Sequence, residues 1–137
     1  MNRRSATQQF FEYWTSNAIL NQWTCFNSQT TNAEFPSWIV YDFIAQTQIA
    51  GDDASGYNQA SYQLRIYGNE AGATDDLATL IDEQLNFVQG LGFANYRTSR
   101  VDARLEGTRN GKDVWVALLE YDMTFDYSDE AILEFEA

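Results

Sequence analysis

The chain contains no histidine, one cysteine, one proline and one lysine in 137 residues. Without histidine it lacks the commonest general base and metal ligand near neutral pH, and every triad built on imidazole is excluded. Cys25 alone cannot form an internal disulfide framework or the paired thiolates of a zinc ribbon. Lys112 is the only lysine, and 20 acids against 8 bases leave a net charge of -12. Beyond Arg3 and Arg4, no basic cluster of the kind that grips nucleic-acid phosphates is expected. An acidic surface instead lets DNA pass without specific binding, or simply keeps the protein soluble. No run approaches the roughly 20 apolar residues of a membrane span, and the opening MNRRSATQQFFEYW has no apolar signal-peptide core. The expectation is a protein assembled in the cytoplasm, with no membrane partner. GxGxxG and GxxxxGK[ST] are also missing, and the glycines of YGNEAGATDD are in the wrong register for a phosphate cradle. No cofactor is expected.

What is present is a globular composition, 45% hydrophobic and 20% charged, at the length of one domain spanning residues 1–137. Phe10, Phe11, Trp14, Ala18 and Ile19 recur at helical spacing, which predicts a helix over about 5–20. The Asn- and Thr-rich stretch 21–34 reads as irregular, anchored by Trp23 and Phe26. After Pro36, the alternation of Ile39, Tyr41, Phe43, Ala45 and Ile49 predicts a strand. The loop GDDASG leads to a second strand with Tyr62, Leu64 and Ile66 on one side. Thr74 as a cap, the stripe Leu77, Leu80, Ile81, Leu85 and Val88, and Gly90 as a stop predict a second helix. A strand over about 96–106, in which Val101, Ala103 and Leu105 alternate with Arg100, Asp102 and Arg104, meets the turn Asn110-Gly111. That pair is the strongest short-range hairpin signal in the chain. From Trp115 to Tyr127 every odd position is apolar, a run on the order of 40 Å if straight. Such a strand must bend or reach past its own domain.

The predicted fold is α+β, in the order α-β-β-α-β-β, with an antiparallel-rich four-stranded sheet and two helices on one face. The core is expected over about 35–127, followed by an acidic tail at 128–137. For chemistry, the acid pairs Asp52–Asp53, Asp75–Asp76 and Asp129–Glu130 are adjacent and do not converge on one atom. Two carboxylates without further spaced ligands are weak support for a metal at Asp52 and Asp53, and no metal site or enzymatic activity is expected. The 15% aromatic content fits either a large aromatic core or interface anchoring.

The element order, with FPSWIVYDF, YQLRIYG, ATDDLATLIDEQL and VWVALLEYDMTFDY, resembles the tail terminator or tail-completion proteins of long-tailed bacteriophages over about residues 35–127. The resemblance implies a structural virion protein located in the tail or neck. It would form a ring, usually of six subunits, that closes the head-proximal end of the tail tube and ends its growth. Its partners would be further copies of itself, the tail tube protein and the head-completion or connector protein, with DNA passing through the ring. On this reading Tyr57, Trp115, Tyr121, Phe125 and Tyr127 are candidate interface anchors, and Asp52 and Asp53 are candidate lumen or loop acids. The segments 21–34 and 128–137 have no counterpart in that family pattern. The alternatives are another neck or tube component, or a small dimeric α+β ligand-binding domain.

Overall fold

The computed structural model describes residues 6–27, 37–48, 57–90 and 93–126. It is α+β. Helix α1 (Ala6–Ser16) and a single 3-10 turn (Leu20–Gln22) precede strands β1 (Cys25–Asn27), β2 (Ser37–Gln48) and β3 (Tyr57–Gly68). Helix α2 (Ala71–Leu85) follows, then β4 (Val88–Gly90), β5 (Phe93–Arg109) and β6 (Lys112–Asp126). One sheet holds all six strands in the order β1-β2-β3-β6-β5-β4. The expected four strands are present and mutually antiparallel, but two three-residue strands were not foreseen. β1 lies parallel to β2 through Cys25–Ile39, Phe26–Val40 and Asn27–Tyr41, which makes the sheet mixed, and β4 pairs with β5 only at Phe93, Ala94 and Asn95. Neither is long enough to show a period of two.

Both helices contribute to one core. Phe10 of α1 stacks on Tyr41, with ring centroids 4.6 Å apart, and the series continues through Tyr62 and Tyr121 at 5.2 and 5.4 Å. Each such pair contributes about 0.5–1.5 kcal/mol beyond its burial. Leu77, Ala78, Ile81 and Leu85 of α2 join Ile39, Leu64, Ile66, Ala117, Leu119 and Met123 in the same cluster. α1 ends earlier than its pattern suggests because Asn17 turns the chain. Its Oδ1 accepts from the Ile19 and Leu20 amides, both at 2.9 Å, and Ala18 and Ile19 are left exposed.

α2 also departs from expectation at both ends. It begins at Ala71, so Thr74 lies inside the helix, buried, with its hydroxyl donating to the Glu70 carbonyl at 2.7 Å rather than capping. It ends at Leu85, and Gly90 belongs to β4 instead of stopping the helix. The Asn110-Gly111 turn is as expected: φ is 53° and 78°, the left-handed pair that a two-residue hairpin requires.

The long hairpin is accommodated within the sheet. β3 pairs with β6 from Trp115 to Asp126 and β5 with β6 from Lys112 to Phe125. β5 carries register shifts at Arg97/Ser99, Val101/Arg104 and Leu105/Gly107, and each bulge adds bend and twist. The Arg109 guanidinium consequently lies 5.5 Å from the ring centroid of Trp38, which sits on a strand two places away from β5's own partner. The hairpin tip therefore bends across the helix-free face. That face holds a second apolar cluster of Trp38, Val40, Tyr67, Val114 and Val116, residues that simple alternation reads as outward. Trp38 and Tyr67 stack at 4.9 Å and 11°.

Candidate subunit interface

Among the described residues, strands cover the sheet's two margins for only part of their length. At one margin, β1 shields β2 from Ile39 to Tyr41. Beyond that point no described strand flanks β2, and Phe43 and Ile44 are 44% and 48% exposed. The expected inward set is corrected here. Ile39 and Tyr41 are buried, but a bulge between Phe43 and Ala45 breaks the alternation and Ala45 is exposed; Ile49 lies outside the described residues.

At the other margin, β4 flanks β5 only as far as Asn95. From Tyr96 onward the edge is met instead by side chains of α2 and of Asn86, which follows it. Asp75 Oδ1 accepts the Ala103 amide at 2.6 Å and Asn86 Oδ1 the Arg97 amide at 2.9 Å. Arg97 pairs with Asp82 at 2.7 Å, and Arg100 donates to Thr79 Oγ1 at 2.9 Å and to the Asp75 carbonyl at 3.3 Å. Polar groups thus blunt this edge against indiscriminate strand pairing. They leave apolar side chains outside: Val101 is 39% exposed and Leu105 53%. Val101 pairs with Leu118 on the helix-free face, whereas the bulge before Arg104 sets Leu105 opposite Trp115 on the other face, beyond the core cluster, so both are left at the open margin.

Phe87 adds to the same margin. It is 73% exposed, packs edge-on against Tyr96 at 5.6 Å and 76°, and has φ of 62°. A left-handed residue after a helix is usually glycine, and a side chain there costs on the order of 1–2 kcal/mol. An exposed aromatic ring held in that conformation marks the surface as more than solvated filler. Sequence reasoning missed Phe87, although the signal was there: it is the one large apolar residue near the end of α2 that falls off the helical stripe.

Charge distinguishes this margin further. Residues 97–112 carry Arg97, Arg100, Arg104, Arg109 and Lys112 against Asp102 and Glu106, whereas the remaining 18 acids face only three bases. The expectation of no basic cluster beyond Arg3 and Arg4 is therefore corrected. Alternation of the bases with Val101, Ala103 and Leu105 along one strand hid the cluster.

The sequence-predicted anchors fare differently. Tyr121 is fully buried, its hydroxyl donating to Asp82 Oδ1 at 2.7 Å, so it holds α2 to the sheet and offers nothing to a partner. Trp115 is half-buried where β6 pairs with Gly68 and Leu105. Tyr57 and Phe125 are placed by backbone only, opposite Asp126 and Asn58. Tyr127, Asp52 and Asp53 lie outside the described residues; of the described candidates, Trp115 adjoins the exposed margin as the cross-strand partner of Leu105.

Burial governs the titration of the core. It pushes Tyr41 up to about 12, with the Thr7 hydrogen bond opposing, and raises Tyr62 and Tyr121 well above the ordinary tyrosine value. Burial, then the nearby Asp42 charge, also raises the Cys25 thiol, leaving it a poor nucleophile. Among the described residues, no group of three or more His, Cys, Asp or Glu side chains could hold a metal ion. No described helix is long and apolar enough to cross a membrane.

No known family model matches this chain, and a search of curated proteins likewise finds no match.

Proposed function

We propose that this chain is a structural virion assembly protein of the tail-terminator type. It closes the head-proximal end of a phage tail tube as a ring of copies, six by the family resemblance, and joins the tail to the head connector. The observation that carries the reading is the pair of unlike exposed margins on one sheet: Phe43 and Ile44 on β2, and Tyr96, Val101 and Leu105 on β5 with Phe87 packed against Tyr96. With β2, β3, β6 and β5 side by side, these margins stand about 14 Å apart. A ring requires a heterologous contact, in which one patch of each subunit meets a different patch of the next. A symmetric dimer would need only one such patch, so two unlike margins favour the ring over the dimeric ligand-binding alternative. DNA passes through the ring without specific contacts, in keeping with the net charge of -12.

The test is to disrupt the gene in the genome that carries it and to image the lysate by electron microscopy. Overlong tail tubes beside tailless, DNA-filled heads are the expected result. Normal particles would refute the proposal, and an absence of tubes altogether would reassign the chain to a tube or head-completion role.

A further inference from the structure

We infer that the exposed β5 margin receives the acidic segment 128–137 of a second copy of this chain. The inference deepens the ring reading and rests on it for the identity of the neighbour. Two chains with a net charge of -12 repel one another over most of their surfaces. β5 inverts that sign most strongly among the described strands, with four arginines against Asp102 and Glu106, and it also carries exposed Val101 and Leu105 near Arg104. The occupant it fits is an acidic strand with apolar side chains at short spacing. Segment 128–137, SDEAILEFEA, has that character: Asp129, Glu130, Glu134 and Glu136 with no base, interleaved with Ile132, Leu133 and Phe135.

At the Leu105 end of the margin, reach favours a second copy over the chain's own segment. Leu105 pairs with Trp115, eleven residues before Asp126. Along the strand that is about 36 Å from where the segment begins, and the path must also reverse direction and clear β4. Phe135, nine residues past Asp126, spans only about 30 Å at full extension. A neighbouring subunit has no such constraint. The contact combines apolar burial with opposed charge, which sets register and suppresses wrong pairings. Because α2 side chains already hold the Ala103 and Arg97 amides, recognition falls to the side chains of the margin rather than to a free backbone ladder.

The experiment mixes two full-length single-cysteine chains, both carrying Cys25→Ala. One bears Thr108→Cys, and the other Ala131→Cys or Ala137→Cys at either end of the segment. With one thiol per chain, no intramolecular disulfide can form. The expected result under mild oxidation is a mixed disulfide, reduced at least tenfold by Arg104→Glu on the first chain and restored when Glu134→Arg is added to the second. Arg104 is exposed, so its reversal leaves the fold intact, which a thermal melt checks. Three results would overturn the inference: cross-linking no greater than from an Ala18→Cys control, indifference to Arg104→Glu, or displacement of the cross-link by a short DNA duplex. Cross-linking together with normal particles after gene disruption would keep the contact and remove the tail reading. Overlong tubes without cross-linking would do the reverse.

Discussion

The two faces of β6 are built from the same strand to different ends. Its odd positions, Ala117, Leu119, Tyr121 and Met123, lie beneath two helices and are essentially inaccessible to water. Its even positions bury Val114 and Val116 at the hairpin end, then change to Glu120, Asp122 and Thr124. On that second face Asp122 accepts from Gln59 at 2.9 Å and Ser61 at 2.7 Å, and Asp42 accepts two bonds from Arg65. The helix-covered face thus holds the fold together, while the other is stabilised by an apolar end and a bonded polar end. Neither face is spare. The large exposed apolar side chains lie instead at the margins, where Phe43, Ile44, Phe87 and Leu105 are exposed.

The contrast is broken most severely by cavities. Leu119→Ala on the helix face is expected to cost about 2–5 kcal/mol. Val116→Ala on the other face removes two methyl groups from a smaller cluster and should cost about 1–2 kcal/mol. Urea unfolding measures both, and equal losses would erase the distinction between the faces.

Next is Tyr121→Phe, which deletes a hydrogen bond to a carboxylate beneath α2 and should cost about 1.5–3 kcal/mol. Tyr67→Phe removes the hydroxyl that accepts from Arg65 at 2.8 Å on the more open face, and solvent replacement should hold its cost to about 1 kcal/mol or less.

Alkali sharpens the comparison without mutation. Tyr41, Tyr62 and Tyr121 are held above the ordinary value near 10 when folded. The unfolded chain therefore gives up those protons first. Their contribution to stability is complete below about pH 10 and declines as pH rises towards the value of about 12 at Tyr41. Tyrosinate absorbance followed alongside unfolding should show these three phenols ionising together with loss of structure. Ionisation of all eight tyrosines in one step near the ordinary value, with the fold retained, would contradict the burial described.

The smallest stability effect belongs to the margin. Phe87→Gly relieves a left-handed aromatic residue and removes a ring that is 73% exposed. It should leave the protein unchanged or up to about 1 kcal/mol more stable. Failure of that same variant to complement a gene disruption would separate the ring's role at the margin from folding.

Much of this arrangement was legible in the residues. The helix stripes, the odd-position run of β6 and the Asn-Gly turn each carry their own period or backbone requirement, so the class α+β and the order of the six main elements could be read from them. Tyr121 was misread as an anchor because alternation identifies which residues share a face but not which face the helices cover. Alternation set Val101 and Leu105 on one side, but the bulge between Val101 and Arg104 shifts the pairing by one residue and puts them on opposite faces. Phe43 keeps the face of its partner Tyr62 but lies past the core cluster, which alternation alone does not reveal.

The sequence by itself determined the chemistry: no imidazole, one thiol, a strong excess of acids, and five of eight bases gathered within residues 97–112. Those are properties of composition and spacing, which no packing alters. Only the tertiary structure decided that the aromatic series closes into a core, that two short strands leave most of each margin uncovered, and that Phe87 is held outward in a left-handed turn. Those outcomes depend on contacts between residues far apart in the chain, where burial against the helices and the register of bulged strands prevail over local pattern.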